Sequence, residues 1–257
     1  MDLLKLVDIP DQEYHATDAI SSHKLMRALR SYEHTQTDFE ETEAMLLGKA
    51  IHLACLQPDI FASQVAIIPK IDRRSKAGKA EYEAFQAEHQ GKILLSEEQM
   101  QTILGVKIRF DLLRAQNQDL RLALDGAQFE QSLFWKFDNN LCKCRFDAVN
   151  LTKATPIIID LKSAKDAHPE SFKYAFKNFH YDLQAEWYCW GLSQILDPNF
   201  GNTRYLIVAI EKEPPFAGAV YEVNFQYCKG FEKIQLALKN FIYQKSSYQP
   251  EKTWELF

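Results

Sequence analysis

The sequence predicts a mixed α/β fold, a central sheet flanked by helices with a partly helical N-terminal region. Three observations predict it. The runs "QFEQSLFWKF", "CKCRFDAV" and "PIIIDLKS" follow one another closely and are rich in β-branched and aromatic residues, the first two joined by the turn-forming "DNN". A second strand pair, "TRYLIVAIE" and "GAVYEVNF", brackets a Pro-Pro loop after a helical stretch. Residues 1–257 contain no internal repeat and no low-complexity linker, so one domain accommodates the chain.

In chain order, a short extended piece precedes a helix that begins after "AISS". Ser21 or Ser22 is its N-cap, and Leu25, Met26 and Leu29 form its apolar side. Glu43 to Leu56 reads as a second helix, stopped before Pro58. The polar segment "PKIDRRSKAGKAEYEAFQAEHQGK" reads as a loop passing into a surface helix. From about Ser96 to Asn117 the capping signal "SEEQ" opens an amphipathic helix, with Ile103, Leu104, Ile108 and Leu112 expected on its core side. After the three strands come helices over about Asp182 to Leu196 and Gln226 to Gln244, the latter following the second strand pair.

Composition excludes several classes. Hydrophobic residues make up 46% and charged residues 25%, the balance of a soluble globular protein. A net charge of -5 provides no global positive field for nucleic acid, which leaves room for an enzyme that neutralises phosphate locally. The segment "MDLLKLVDIPDQEYH" carries acids within a short apolar run and does not read as a signal peptide; no apolar run reaches the roughly 20 residues that span a bilayer. A cytoplasmic location without membrane contact is expected. The five cysteines lack framework spacing, and Cys142 and Cys144 form a lone CxC better read as buried thiols than as a zinc or iron-sulfur site.

The chemistry is carried by "PIIIDLKSA". Strand side chains two apart point the same way, so Asp160 and Lys162 face together while Ile159 and Leu161 enter the opposite layer. The isoleucines account for burial of the strand and not for its charges. If Asp138 and Asn139 are the central turn residues of the preceding hairpin, Phe137 opposes Asn140 and, in step, Glu130 opposes Asp147. Carboxylates gathered in this way repel, and a divalent cation relieves the cost. Hard oxygen ligands suit Mg²⁺ or Mn²⁺. Asp147 and Asp160 are the preferred ligands, with Glu130 a ligand or an outer organiser. Lys162 would orient the attacking water or stabilise charge on phosphoryl oxygens, while the cation acidifies water. The plainer reading is that the acids end exposed strands and Lys162 pairs with one of them.

Two helices could close the site. Gly48 and His52, four apart in "EAMLLGKAIHLACL", share a face; His52 would offer a neutral imidazole or be a hydrogen-bonded core residue. Gly48 costs a helix roughly 1 kcal/mol, a cost understandable where backbone or substrate passes close. In "FHYDLQAEWYCWG", Tyr181, Gln184 and Tyr188 share a face if the helix begins early. Gln184 suits orienting phosphate or water, and the tyrosines suit phosphate or base contact. An aromatic core helix is the alternative, especially for Trp187 and Trp190.

Together "GKAIHLACLQP", "FEQSLFW", "CKCRFDAV", "IIDLKSAKD" and "YDLQAEWY" resemble the PD-(D/E)XK nuclease superfamily, most closely the exonuclease VIII (RecE-type) catalytic domain, over nearly the whole chain. The resemblance implies a restriction-endonuclease-like core making up a single nuclease domain. It implies a Mg²⁺-dependent exonuclease, with Mn²⁺ able to substitute, that degrades double-stranded DNA from a 5′ end and leaves a 3′ tail for a single-strand annealing partner. It implies a homo-oligomeric ring, a tetramer or else a trimer. Carried onto this chain, His52, Asp147 and Asp160 become metal ligands, Leu161 adds its backbone carbonyl, and Lys162 is catalytic. Glu130, Gln184, Tyr181 and Tyr188 take supporting positions. Arg73, Arg74, Lys76 and Lys79 become either DNA contacts or a solvated basic loop, and Lys24, Arg27 and Arg30, each three from the next on the first helix, a candidate 5′-phosphate site. The "PD" of the pattern is met only loosely, by Asp147 in "RFDA". Alternatives are a same-fold single-strand nuclease or repair endonuclease, or a catalytically inactive DNA-binding protein.

Overall fold

A computed structural model describes residues 3–37, 42–196 and 203–244. The first part is mostly helical: β1 (Leu6–Val7), α1 (Asp11–Ala16), α2 (Ser22–Ala28), α3 (Tyr32–Thr35), α4 (Glu43–Leu56), α5 (Pro58–Gln64), β2 (Val65–Ile67), α6 (Lys76–Glu88), β3 (Ile93–Leu95), α7 (Glu97–Gln116) and α8 (Gln118–Leu124). The rest carries most of the sheet: β4 (Gln128–Phe137), β5 (Asn140–Asn150), β6 (Ile157–Ala164), α9 (Pro169–Asn178), α10 (Tyr181–Ser193), β7 (Arg204–Glu211), β8 (Gly218–Glu222) and, after a 3₁₀ turn, α11 (Gly230–Ile242).

The six-stranded sheet runs β1-β4-β5-β6-β7-β8, and β2 pairs with β3 in a separate parallel ribbon. Among the described strands of the main sheet, β6 and β7 are the pair that runs parallel, which requires a crossover; α9 and α10 supply it. β6 is therefore interior and covered on both faces, which explains its unbroken Ile157–Ile159 run. One face packs α2, α10 and α11 around Trp135, Phe146, Trp187 and Ile207, the other packs α4, α7 and α8 around Ile51, Phe110, Ile159 and Val208. Trp187 is fully buried and donates its indole N–H to the Lys143 carbonyl at 3.0 Å, so replacing it with alanine costs about 3 to 5 kcal/mol.

The β4–β5 turn has Asp138 at φ +46° and Asn139 at φ +64°, the left-handed pair that a two-residue hairpin requires. Phe137 opposes Asn140 as expected, and the same register returns at Gln128 opposite Val149. The Ser21 hydroxyl accepts the Lys24 N–H, which settles the α2 N-cap, and the full capping box of Ser96 and Gln99 opens α7.

Two expectations need correction. On α7 the buried face is Ile103, Val106 and Phe110; Leu104, Ile108 and Leu112 are 42%, 61% and 43% exposed. The helix carries two apolar stripes, and periodicity cannot choose between them. The last helix begins at Gly230, since the residues from Phe225 form a separate 3₁₀ turn capped by the Asn224 side chain. Helices α5, α8 and α9 and the β2–β3 ribbon are short elements that the patterning did not reveal. Cys55, Cys142 and Cys144 are buried free thiols.

Candidate active site

The site is built on one interrupted row of the sheet. β4 and β5 pair on both sides of Glu130 and Asp147, but those two residues are missing from the ladder, and Glu130 stands in the left-handed region at φ +50°. The alternation of side chains is reset there. Leu133, Trp135, Cys144 and Phe146 belong to one core layer, whereas Phe129 and Ala148 belong to the other. Next door, β5 and β6 pair from Asn150–Ile157 to Ala148–Ile159 and then part. The next partners in that register are Asp147 and Asp160. Glu130, Asp147 and Asp160 thus occupy one row across three strands, where both ladders give way. A left-handed glutamate inside a strand is strained by of the order of 1 to 3 kcal/mol, and such strain clusters at functional sites.

Side chains replace the lost backbone pairing. Asp147 Oδ2 accepts the Leu161 N–H at 2.8 Å and lies 3.5 Å from His52 Nδ1, the histidine brought in by α4. His52, Glu130 and Asp147 each present one ligand atom within 4.8 Å of the others. The Asp160 carboxyl stands outside that tight group but is buried beside it, and Lys162 Nζ donates to Asp160 Oδ1 at 2.8 Å and to Gln184 Oε1 at 3.0 Å. The Tyr181 ring centroid is 4.8 Å from the same ammonium. Asp160 Oδ2 is buried with no hydrogen-bond partner among the described residues.

The electrostatics follow from burying so many acids together. Burial and then the Asp147 charge push Glu130 up to about 7. Burial pushes Asp160 up to about 6, Lys162 opposing the shift and Asp147 adding to it. Burial works against a charged His52, but Asp147 and Glu130 outweigh it and raise the imidazole to about 9. Asp147 also resists burial, and His52, Lys162 and the Leu161 N–H prevail, holding its carboxyl below the usual range. Burial opposes the Lys162 charge, while Asp160 and Asp147 raise its pKa. An oxygen-rich donor set with one imidazole, excess carboxyl charge and an unpartnered buried oxygen fits a hard divalent cation.

The structure brings His52, Glu130, Asp147, Asp160, Lys162, Gln184 and Tyr181 together. Leu161 joins through its N–H to Asp147, and Tyr188 lies buried behind the acids, edge-on to Phe146. Apart from its own helix, no atom of the described residues lies within 4 Å of where a Gly48 Cβ would stand, so no packing among them explains that glycine. Of the basic residues, Lys24 pairs with Asp18, Arg27 bonds the Thr37 carbonyl, and Arg73 lies over the Tyr82 ring. His23 was not singled out by spacing. It is exposed on α2, with the charges of Lys162 and Arg27 bearing on its imidazole. Also missed was Asp11, whose carboxylate ties Lys49 of α4 to Arg145 of β5, the elements that carry His52 and Asp147.

Residues 20–251 match the family model described as a PDDEXK-like domain of unknown function (DUF3799). The chain belongs to this PDDEXK-like family. Its mixed sheet flanked by helices is the restriction-endonuclease-like arrangement expected of it. No curated protein matches the chain. Among solved structures, a candidate exonuclease from Eubacterium rectale superposes with a TM-score of 0.57 at 10% identity, covering 94% of this chain and 90% of that one, which shows a shared fold. A second, SSO0001, reaches a TM-score of 0.34 at 16% identity over 88% of each chain, too low to carry an argument. In this PDDEXK-like protein the fold and the His52, Glu130 and Asp147 group together suggest nuclease-like activity.

Proposed function

We propose that this PDDEXK-like protein is a Mg²⁺-dependent deoxyribonuclease, an exonuclease that shortens double-stranded DNA in the 5′ to 3′ direction and releases 5′ mononucleotides. The observation that carries the reading is the interrupted row Glu130–Asp147–Asp160 with Lys162 beside it, in a PDDEXK-like fold. Direction, product and a ring of copies feeding an annealing partner are supported by the sequence resemblance to exonuclease VIII.

His52, Asp147 and Asp160, with Glu130 alongside, would hold the cation. When bound, it supplies acidified water and a counter-charge for the phosphate, with Mn²⁺ able to replace Mg²⁺. Lys162 is held by Asp160, Gln184 and the Tyr181 face, so its ammonium is fixed before substrate arrives and can meet charge growing on a non-bridging oxygen. Gln184, whose Oε1 accepts from Lys162, has an amide N–H with no acceptor among the described residues, which can orient water or phosphate. In the cleavage, water oxygen bonds to phosphorus as the bond to the 3′ oxygen breaks. The water proton passes to solvent, and the departing oxygen takes a proton from solvent.

Digestion of linear duplex DNA with and without Mg²⁺, comparing wild type with Lys162→Ala, tests the chemistry. Cleavage that needs the metal and is lost in the variant is expected; metal-independent cleavage, or an unaffected variant, refutes it. End-labelled duplexes test the direction, since early loss of 3′ label contradicts a 5′ to 3′ enzyme.

A further inference from the structure

The corner between α9 and α10 is only two residues long. Phe179 caps α9, His180 turns the chain through a left-handed conformation at φ +53°, and Tyr181 opens α10. Tyr181 is set among rings: Phe172 at 6.2 Å, Phe176 edge-on at 6.4 Å, and Phe179 stacked at 5.7 Å with 30° between planes. Lys162 Nζ sits 4.8 Å from the Tyr181 ring centroid. Phe179 is the outermost ring and is 60% exposed.

A single exposed phenylalanine needs no explanation. This one ends a stack whose other end is the lysine of the candidate active site. The corner projects it outward, and the rings behind it fix its orientation. An open aromatic face continuous with a phosphate-directed lysine is the chemistry that binds unpaired nucleotides. Stacking tolerates any base, as a nuclease indifferent to sequence requires.

We propose that Phe179 is a nucleobase-stacking site. Its open face receives an unpaired base next to the phosphate held at Lys162, keeping a frayed strand in line for cleavage. The proposal rests on the nuclease reading above.

The test uses 2-aminopurine, whose fluorescence is quenched by stacking, placed singly at successive positions inward from either end of a duplex oligonucleotide. The full-chain Asp160→Asn protein, which keeps Lys162, serves as the hydrolysis-arrested background, with Ca²⁺ present. Anisotropy of a separate end-label reports DNA binding, and circular dichroism reports folding. Quenching near one end is expected to change on binding, to be lost in Asp160→Asn/Phe179→Ala and to return with Phe179→Trp. Affinity for a frayed end should fall about tenfold without the ring. If the Phe179→Ala protein folds and binds but shows the same fluorescence at every position as its parent, the stacking site is refuted while the nuclease reading stands. If the folded parent binds no DNA and wild type cleaves none, the nuclease reading fails and the stacking site falls with it.

Discussion

Asp160 and Asp182 are both buried aspartates, and each is answered by a lysine. At Asp182, on α10, the Lys233 ammonium reaches both carboxylate oxygens at 2.7 Å. At Asp160, on β6, Lys162 reaches one oxygen at 2.8 Å and divides its donors with Gln184, while the second oxygen has no partner among the described residues. The first pair is closed and satisfied. The second is open, and it stands beside Asp147 and Glu130 rather than alone. A buried acid kept partly unsatisfied is costly to fold, and an acid meant to bind a ligand has to be kept so.

Substituting each member should separate the two roles. The largest effect is expected for Lys162→Ala, whose phosphodiesterase activity should fall on the order of 10³-fold, measured as release of acid-soluble nucleotide from duplex DNA. Asp160→Asn should lose comparable activity yet unfold in urea within about 1 kcal/mol of wild type, because neutralising one of several crowded carboxyls offsets the lost ion pair. Asp182→Asn should do the reverse. It strands a part-buried ammonium and should cost about 1 to 3 kcal/mol in the same urea titration, with kcat little changed in protein that remains folded. Equal behaviour of the two asparagine variants would erase the distinction.

A smaller effect should follow metal addition. Mg²⁺ at about tenfold above its Kd should stabilise wild type by about 1.4 kcal/mol, seen as a higher melting temperature that chelator reverses. Asp147→Asn should lose that response and Asp182→Asn should keep it.

The smallest effect is the pH dependence of the metal-free protein. Glu130, Asp160 and His52 have folded pKa values above their ordinary ones, so each contributes stability at low pH that is lost as pH rises through about 7, 6 and 9 respectively. Asp147, held below its ordinary range, acts oppositely and only under acid conditions. Melting temperature in chelator should therefore fall between about pH 5 and about pH 8, and Glu130→Gln should flatten that fall. A slope unaffected by the variant would mean that Glu130 titrates normally.

Much of this was legible in the chain. The hairpin register follows from "DNN" because only residues tolerant of positive φ make a two-residue turn of that kind. The pairing of Asp160 with Lys162 follows from the period of a strand, and the early start of α10 at Tyr181 places Gln184 on the lysine. Other features left no local signature. The reset of alternation at Glu130 depends on a backbone conformation that glutamate rarely adopts, so simple alternation does not foretell which core layer each flanking residue joins. The exposed stripe of α7 is as apolar as its buried one, and Asp11 reaches Arg145 across most of the sequence, a contact that only tertiary structure reveals.

The parting of β5 from β6 bears on how such proteins change over time. Because the row of acids contributes no rungs to the β4–β5 and β5–β6 ladders, and Asp160 keeps its place opposite Ile207 of β7 through the backbone, these side chains can be exchanged for other polar ones while the surrounding scaffold persists. Descendants of such an ancestor can therefore lose catalysis without losing shape. Within this lineage, resemblance of outline is a weaker witness to activity than the identity of the side chains at three positions on adjoining strands.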